Sequence, residues 1–435
     1  MGHRSIDTDE DTTEVFDDPS STPDPMGTGT GFAYLVDALS RPESPKRSRR
    51  AASRCAEEAE PEDVLAQAMT LADEGRFDES IALCQRHRPA WLAAADAASL
   101  GRCDFLILRG HQSSGRSRDA VEAGLRALNW FSYVDQPSTR LYTYGLLALA
   151  LACIGDAPKA FEILDHGRKL LPTLDAGDLY PALFFSYSGS TLSNCGQNAE
   201  AAAAYERSLQ YLDAGQEPTR HRIVMQNLLS VKLELAFERS GGADSAEIQA
   251  LLATYREYAE RDRAARHFVS LTKNAGFIGD AYWQLGQLDD ARAVLLDGIR
   301  AAEIAKSGPD RGILLWRLAR LDRMAGDFRS ASTALTIAIE LLSEGQQMGG
   351  LADAHLEAAK LHEERQRWRA AVDSLREHLR IRELVLKAQM EARMRSLRVQ
   401  LDIEHGRAAF DEALGTAGPA RAITAFGRMP QAAAE

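Results

Sequence analysis

"GFIGDAYWQLGQLDDARAVLLDGI", Gly276 to Ile299, places a short polar break between two apolar-periodic segments. Gly286 opens the break, and glycine tolerates the left-handed conformation that ends a helix. Asp289 and Asp290 follow, where carboxylates suit the positive end of a new helix. Ala291 then closes the break with a side chain small enough for two helices to approach closely. The stretch reads as a helical hairpin.

The same six-residue break recurs along the chain, as "GRFDES" at Gly75, "GRSRDA" at Gly115, "GDAPKA" at Gly155 and "GQNAEA" at Gly196. It continues as "GGADSA" at Gly241, "GQLDDA" at Gly286, "GDFRSA" at Gly326 and "QRWRAA" at Gln366. Successive offsets are 40, 40, 41, 45, 45, 40 and 40 residues, a register that chance does not keep. Further turn signals, "DQPST", "LDAGD", "AGQEPT", "KSGPDRG" and "EGQQMGG", separate one unit from the next. The expectation is an all-α solenoid of about eight hairpins over residues 61–382.

These units resemble tetratricopeptide repeats. The matching positions are Gly279, Tyr282, Gly286, Ala291, Leu295 and Gly298 in one unit. In the next they are Leu318, Ala319, Gly326, Phe328, Ala331, Leu335 and Ala338. The resemblance implies a right-handed superhelix with a concave groove that takes peptide or protein segments. Units of about 40 residues exceed the family's usual 34, the fifth unit matches worst, and "QRWRAA" lacks the turn glycine.

The flanks read differently. Residues 1–60 are expected to be a disordered leader, acidic first and basic later, because neither part can bury enough apolar surface. Within it, Phe32, Leu35, Val36 and Leu39 of "GFAYLVDALS" share one helical face. That face suits either a short helix capping the first repeat or a docking peptide, for a partner or for the protein's own groove. Residues 383–414 read as a connector helix, and 415–435 as a flexible tail. Leu386, Met390, Met394, Leu397 and Leu401 form a narrow stripe at near coiled-coil spacing, suited to pairing with itself or with a partner's helix. Glu391 is placed to pair with Arg395. Long repeats flowing into the arginine-rich "REHLRIRELVLKAQMEARMRSLRVQLDIEHGRAAFDEAL" are similar to the sensor half of bacterial GGDEF diguanylate cyclases. No GGDEF domain follows in this sequence, so that likeness implies a sensory arrangement without the cyclase activity.

A net charge of −12 argues against a nucleic-acid partner. Five cysteines without CxxC spacing read as reduced thiols of a cytoplasmic protein. No apolar run is long enough to span a bilayer. No phosphate-cradling loop or GxSxG elbow occurs. His355 and His362 stand seven residues apart with no convergent ligand, so no metal, no cofactor and no enzyme activity are expected.

Counting back from each turn assigns groove positions. Units six and seven offer Lys273, Asp280, Trp283, Gln284, Trp316, Arg320 and Arg323, and Asn227 and Asn274 stand near the starts of first helices, where an amide could pair with a peptide backbone. Unit four offers Ser186, Ser190, Ser193 and Asn194, while units two and five offer Arg109, Gln112, Lys232 and Arg239. Two readings stand for these side chains, inter-unit packing with a solvated charged face, or an aromatic and arginine hot spot. The expected function is a non-catalytic regulatory sensor that binds a peptide or protein segment and signals through the terminal helix. The alternatives are the sensor portion of a cyclase-type enzyme and a passive scaffold.

Overall fold

The computed structural model describes residues 60–174, 179–215 and 217–417, with side chains described as far as residue 405. The expected leader, including "GFAYLVDALS", lies outside the described residues except for its last residue, as does the tail beyond 417. Among the described residues there are sixteen α-helices, one 3-10 turn at Leu171–Thr173 and no strand.

The first helices of the eight hairpins are α1 (Pro61–Asp73), α3 (Ala97–Ser113), α5 (Pro137–Cys153), α7 (Tyr180–Asn194), α9 (Pro218–Ser240), α11 (Phe268–Gln284), α13 (Gly308–Met324) and α15 (Met348–Glu364). Their partners are α2 (Phe77–Ala93), α4 (Ser117–Trp130), α6 (Ala157–Arg168), α8 (Asn198–Leu209), α10 (Ala246–Ala264), α12 (Leu288–Ala305), α14 (Phe328–Glu344) and α16 (Trp368–Ala417). Each sequence break falls at a turn between partners. Six of the turn glycines hold φ between 72° and 79°, and Gln366 adopts φ 57° where the glycine is missing.

The capping differs from the sequence reading. Only Asp156, Ser245 and Asp327 cap a second helix with their side chains. At α2, α4, α8 and α12 the cap position falls on Arg76, Arg116, Gln197 and Gln287. The acidic residues sit inside the first turn there, favoured by the helix dipole rather than by a cap.

Close packing accounts for the small residues. A methyl group on Gly298 would lie 2.4 Å from the Ala275 methyl, and one on Gly279 would lie 2.7 Å from the Leu295 side chain. The apolar interior divides in two. One core runs from Val64 to Val231 and the other from Leu229 to Ile381. Helix α9 feeds both, with Leu228 and Val231 turned to the first and Leu229 and Leu233 to the second.

Helix α16 joins the two cores a second time. It is unbroken for 50 residues, so hairpin eight passes into the connector without an interruption at 383. Ile381 belongs to the second core, whereas Ala392 and Val399 belong to the first. Ala392, Ser396 and Val399 are buried, and Ile403 packs beside them at the same helical spacing. This face rests on α4. Arg393 donates to the Gly155 carbonyl, and Arg395 reaches Asp119 at 3.9 Å rather than Glu391. The sequence reading had not assigned this face to any contact.

Candidate functional site

The first helices carry the candidate groove in two parts. At the near end a cavity of about 300 Å³ is lined by Leu65 and Met69 of α1, Arg102, Phe105 and Leu106 of α3, Gln136 and Thr139 at the start of α5, and Tyr180 of α7. Beside it, the Tyr142 ring lies 5.1, 5.9 and 5.6 Å from those of Phe105, Tyr180 and Tyr187. Counting back from the turns missed this aromatic row. Its signal was present as one or more aromatics on three consecutive first helices.

At the far end, α11 presents Lys273, Gly276, Asp280 and Trp283 on one face, at steps of three and four residues. Helix α13 lays Trp316, Arg317 and Arg320 against it. The Arg320 guanidinium sits 3.7 Å above the centre of the Trp283 ring and 5.5 Å from that of Trp316. Its Nη2 reaches Asp280 at 2.7 Å, and Arg317 reaches the other oxygen of that carboxylate at 2.8 Å. Trp283 donates through Nε1 to the Met324 sulfur at 3.2 Å. The Trp316 indole N–H is buried without an acceptor. Lys273 is half-buried and makes no ion pair, and burial lowers its ammonium pKa against the pull of Asp310. Arg323 turns toward α15, where Glu357 and Glu364 hold it.

The remaining sequence-assigned positions divide into packing and surface. Arg109 is buried and bound to Asp73 at 2.8 Å, so it ties α3 to α1. Ser190 is wholly buried against the Tyr205 hydroxyl at 3.0 Å, and Asn274 donates to buried Asp262 at 3.2 Å. These three serve packing, because the first helix of a tightly wound unit also contacts its neighbour. Gln112 and Asn227 are buried, with neither amide atom hydrogen-bonded. Asn194 is half-buried and points its amide nitrogen at the Cys153 sulfur at 3.8 Å. Lys232 pairs with Glu206 and Arg239 with Glu247, both near the surface, and Gln284 is exposed.

Sequence reasoning also missed two carboxylates that organise the hairpins. Asp262 accepts from Arg222 at 2.6 Å, from Gln226 at 3.0 Å and from Ser270 at 2.5 Å. Asp104 is fully buried beneath Arg88, Arg126 and the Trp130 indole. Burial works to raise its pKa, but Arg126 and Arg88 prevail and hold it below the usual value. Among the described residues no group of histidine, cysteine and carboxylate could hold a metal ion, and no helix is long and apolar enough to cross a membrane. Of the stripe on α16, Leu386, Met390, Met394, Leu397 and Leu401 are all half or more exposed.

A solenoid of helical hairpins with small residues at each crossing, and a groove along its first helices, is of the tetratricopeptide-repeat type. Residues 275–304, within the sixth hairpin, match the family model described as Tetratricopeptide repeat. Among solved structures, the chain is similar to aspartyl phosphate phosphatase F from Bacillus subtilis. Identity is 12%, coverage is 76% of this chain and 86% of that chain, and the TM-score is 0.51. It is also similar to a Rap protein complexed with Competence and Sporulation Factor, at 13% identity, 80% and 99% coverage, and a TM-score of 0.51. At such identity the likeness is one of fold. No curated protein matches the sequence.

Proposed function

We propose that this protein is a non-catalytic regulator that takes a peptide or protein segment on its first helices and reports occupancy through α16. The observation that carries the reading is Arg320, stacked on Trp283 beside Trp316 on neighbouring first helices. Aromatic anchors beside arginines dominate protein interfaces because they bury area while keeping directed donors. The solved likeness of a Rap protein with a bound factor supports a ligand-taking solenoid of this shape.

Helix α16 is the proposed output. It leaves hairpin eight, next to the α11–α13 patch, and its buried face ends on α4. A ligand that changes the winding of the later hairpins changes where Val399 and Ala392 meet the first core. The exposed stripe on the other face of α16 is the proposed contact with a second copy or a partner helix. A sensory portion of a larger signalling assembly is the same reading with a different recipient.

Affinity capture from the source cells, with wild type and a Trp283→Ala/Arg320→Gln variant, tests it. Wild type should retain a segment that the variant loses. Adding that segment to wild type should change hydrogen exchange between residues 392 and 403. Equal retention by both proteins overturns the groove, and unchanged exchange in α16 leaves a passive scaffold.

A further inference from the structure

The far patch carries more positive charge than its neighbours compensate. Arg317 and Arg320 share one carboxylate, Asp280, while Lys273 on the same face of α11 makes no ion pair. The carboxylate that acts on Lys273 is Asp310, which also accepts a hydrogen bond from Ser307 at 2.6 Å. The uncommitted groups here are donors: the Lys273 ammonium, the Trp316 indole N–H and the Nε of Arg320. A surface with spare donors, spare positive charge and two indole rings fits carboxylates that lie beside an apolar side chain.

We propose that the patch formed by Lys273, Trp283, Trp316, Arg317 and Arg320 binds the chain's own acidic N-terminal segment, residues 7–18, as a built-in occupant of the groove. This rests on the groove reading above and names a ligand for it. The segment carries Asp7, Asp9, Glu10, Asp11, Glu14, Asp17 and Asp18, with Val15 and Phe16 between the last carboxylates. "EVFDD" therefore offers an aromatic ring to the indoles with anions on either side for the three cations.

Helix α16 shows that the reach is short. From Trp368 to Val399 it rises about 47 Å at 1.5 Å per residue, and that distance takes it from hairpin eight to α4 in hairpin two. Hairpins six and seven lie just before hairpin eight. The 42 residues from 19 to 60 would span about 36 Å as a flexible coil and up to about 140 Å extended. The acidic segment is thus presented to the patch at an effective concentration near the millimolar range. An external segment must displace it, so the leader sets the threshold for the groove ligand.

Zero-length carbodiimide cross-linking of the full-length protein tests this, because the reagent joins a lysine to a carboxylate only where the two touch. In the monomer fraction, Lys273 should be joined to a carboxylate of residues 7–18. The yield should fall at least about five-fold in 1 M salt, where the Debye length is about 3 Å. It should also fall in Arg317→Gln/Arg320→Gln protein whose circular dichroism is unchanged. A second protein, with the seven acidic residues changed to their amides, leaves the repeats untouched. It should bind a synthetic peptide of residues 5–19 at least about five-fold more tightly than wild type. Leader carboxylates coupling equally to Lys159, Lys232, Lys306 and Lys360 but not to Lys273, or equal peptide affinity for both proteins, overturns the built-in occupant. Either result leaves the groove reading to its own capture test.

Discussion

Arg393 of α16 donates a hydrogen bond to the carbonyl of Gly155, 238 residues earlier in the chain. The acceptor lies in the turn of hairpin three, and Ala392, Ser396 and Val399 bury the same face of the helix. The last helix of the solenoid is thereby a brace between its two cores. Val399→Asp places an unpaired charge in that contact and should release the helix at a cost of about 2–4 kcal/mol. Hydrogen exchange should accelerate from about residue 385 onward while exchange in α11 to α14 stays unchanged, and small-angle scattering should show a larger radius. An unaltered radius with unaltered exchange would show that α16 does not brace the molecule.

Gly298 faces the Ala275 methyl across the sixth hairpin and has no room for a methyl of its own. Gly298→Ala should cost about 1–3 kcal/mol by overpacking. Because each repeat rests on its neighbours, exchange should rise in hairpins five and seven as well as in six. Loosening confined to α11 and α12 would mean that the repeats are uncoupled.

Much of this was legible in the sequence because its causes are local. A turn that needs positive φ favours glycine, as at Gly75, Gly115 and Gly286, and a close crossing asks for Ala291 or Ala331, so the period announces itself. The brace was not legible. Its buried face is Ala392, Ser396 and Val399, weaker in hydropathy than the Leu and Met stripe that stays exposed on the same helix. Asp104 and Asp262 were invisible for a related reason. Their partners lie up to 40 residues away along the chain, one repeat or less, but nothing in the spacing distinguishes these carboxylates from the solvated ones. Counting from turns put Trp283 and Arg320 among the candidate positions, and the two side chains meet in the structure. Ser190, reached by the same count, and Asn274, read from its place near a helix start, are bonded inside instead, because the sequence does not separate the open side of a first helix from its contact side.

Arg320 is held by a planar stack on Trp283 and by an ion pair to Asp280. Lysine keeps the charge but loses the stack and the planar Nη2 donor. Arg320→Lys should therefore cost about 0.5–2 kcal/mol of stability. A double-mutant cycle with Trp283→Phe, read by denaturant titration, measures the coupling. A coupling indistinguishable from zero would show that the stack contributes nothing to the fold.

Glu234 on α9 has its carboxyl pKa pushed up to about 7 by burial, with Glu238 adding to the rise and the Asn198 amide, donating at 3.0 Å, opposing it. The folded-state value exceeds the unfolded one, so the folded protein holds the proton more tightly. Stability from this group is fully present below about pH 4.5 and is lost as pH rises through about 7. Glu234→Gln should match wild type near pH 4.5 and exceed it at pH 8, by about 1–3 kcal/mol. Thermal melts at the two pH values check the sign. A variant less stable than wild type at pH 8 would mean that the ionised carboxylate is stabilised by its surroundings.

The exposed face of α16 concerns association. Leu386, Met390, Met394, Leu397 and Leu401 are between 50% and 68% exposed, and none belongs to the first core that Ala392 and Val399 join. Further up the same helix Val372, Leu375 and Leu379 are also exposed, so the apolar line runs from 372 to 401, about 44 Å. A rigid line of that length, held straight by the docked opposite face, presents a preformed half of a helix pair. Wild type should therefore dimerise in the micromolar range, or associate with a partner helix. Because Leu397 and Leu401 lie on the solvent side, Leu397→Asp/Leu401→Asp should leave the melting temperature and helical content almost unchanged. The same change should weaken association at least about a hundredfold, since two charges would enter the seam. Sedimentation or light scattering of both proteins across a concentration series decides it. Equal mass for the two at every concentration, with no partner helix bound by wild type, would leave α16 as a brace alone and remove the proposed output of the sensor.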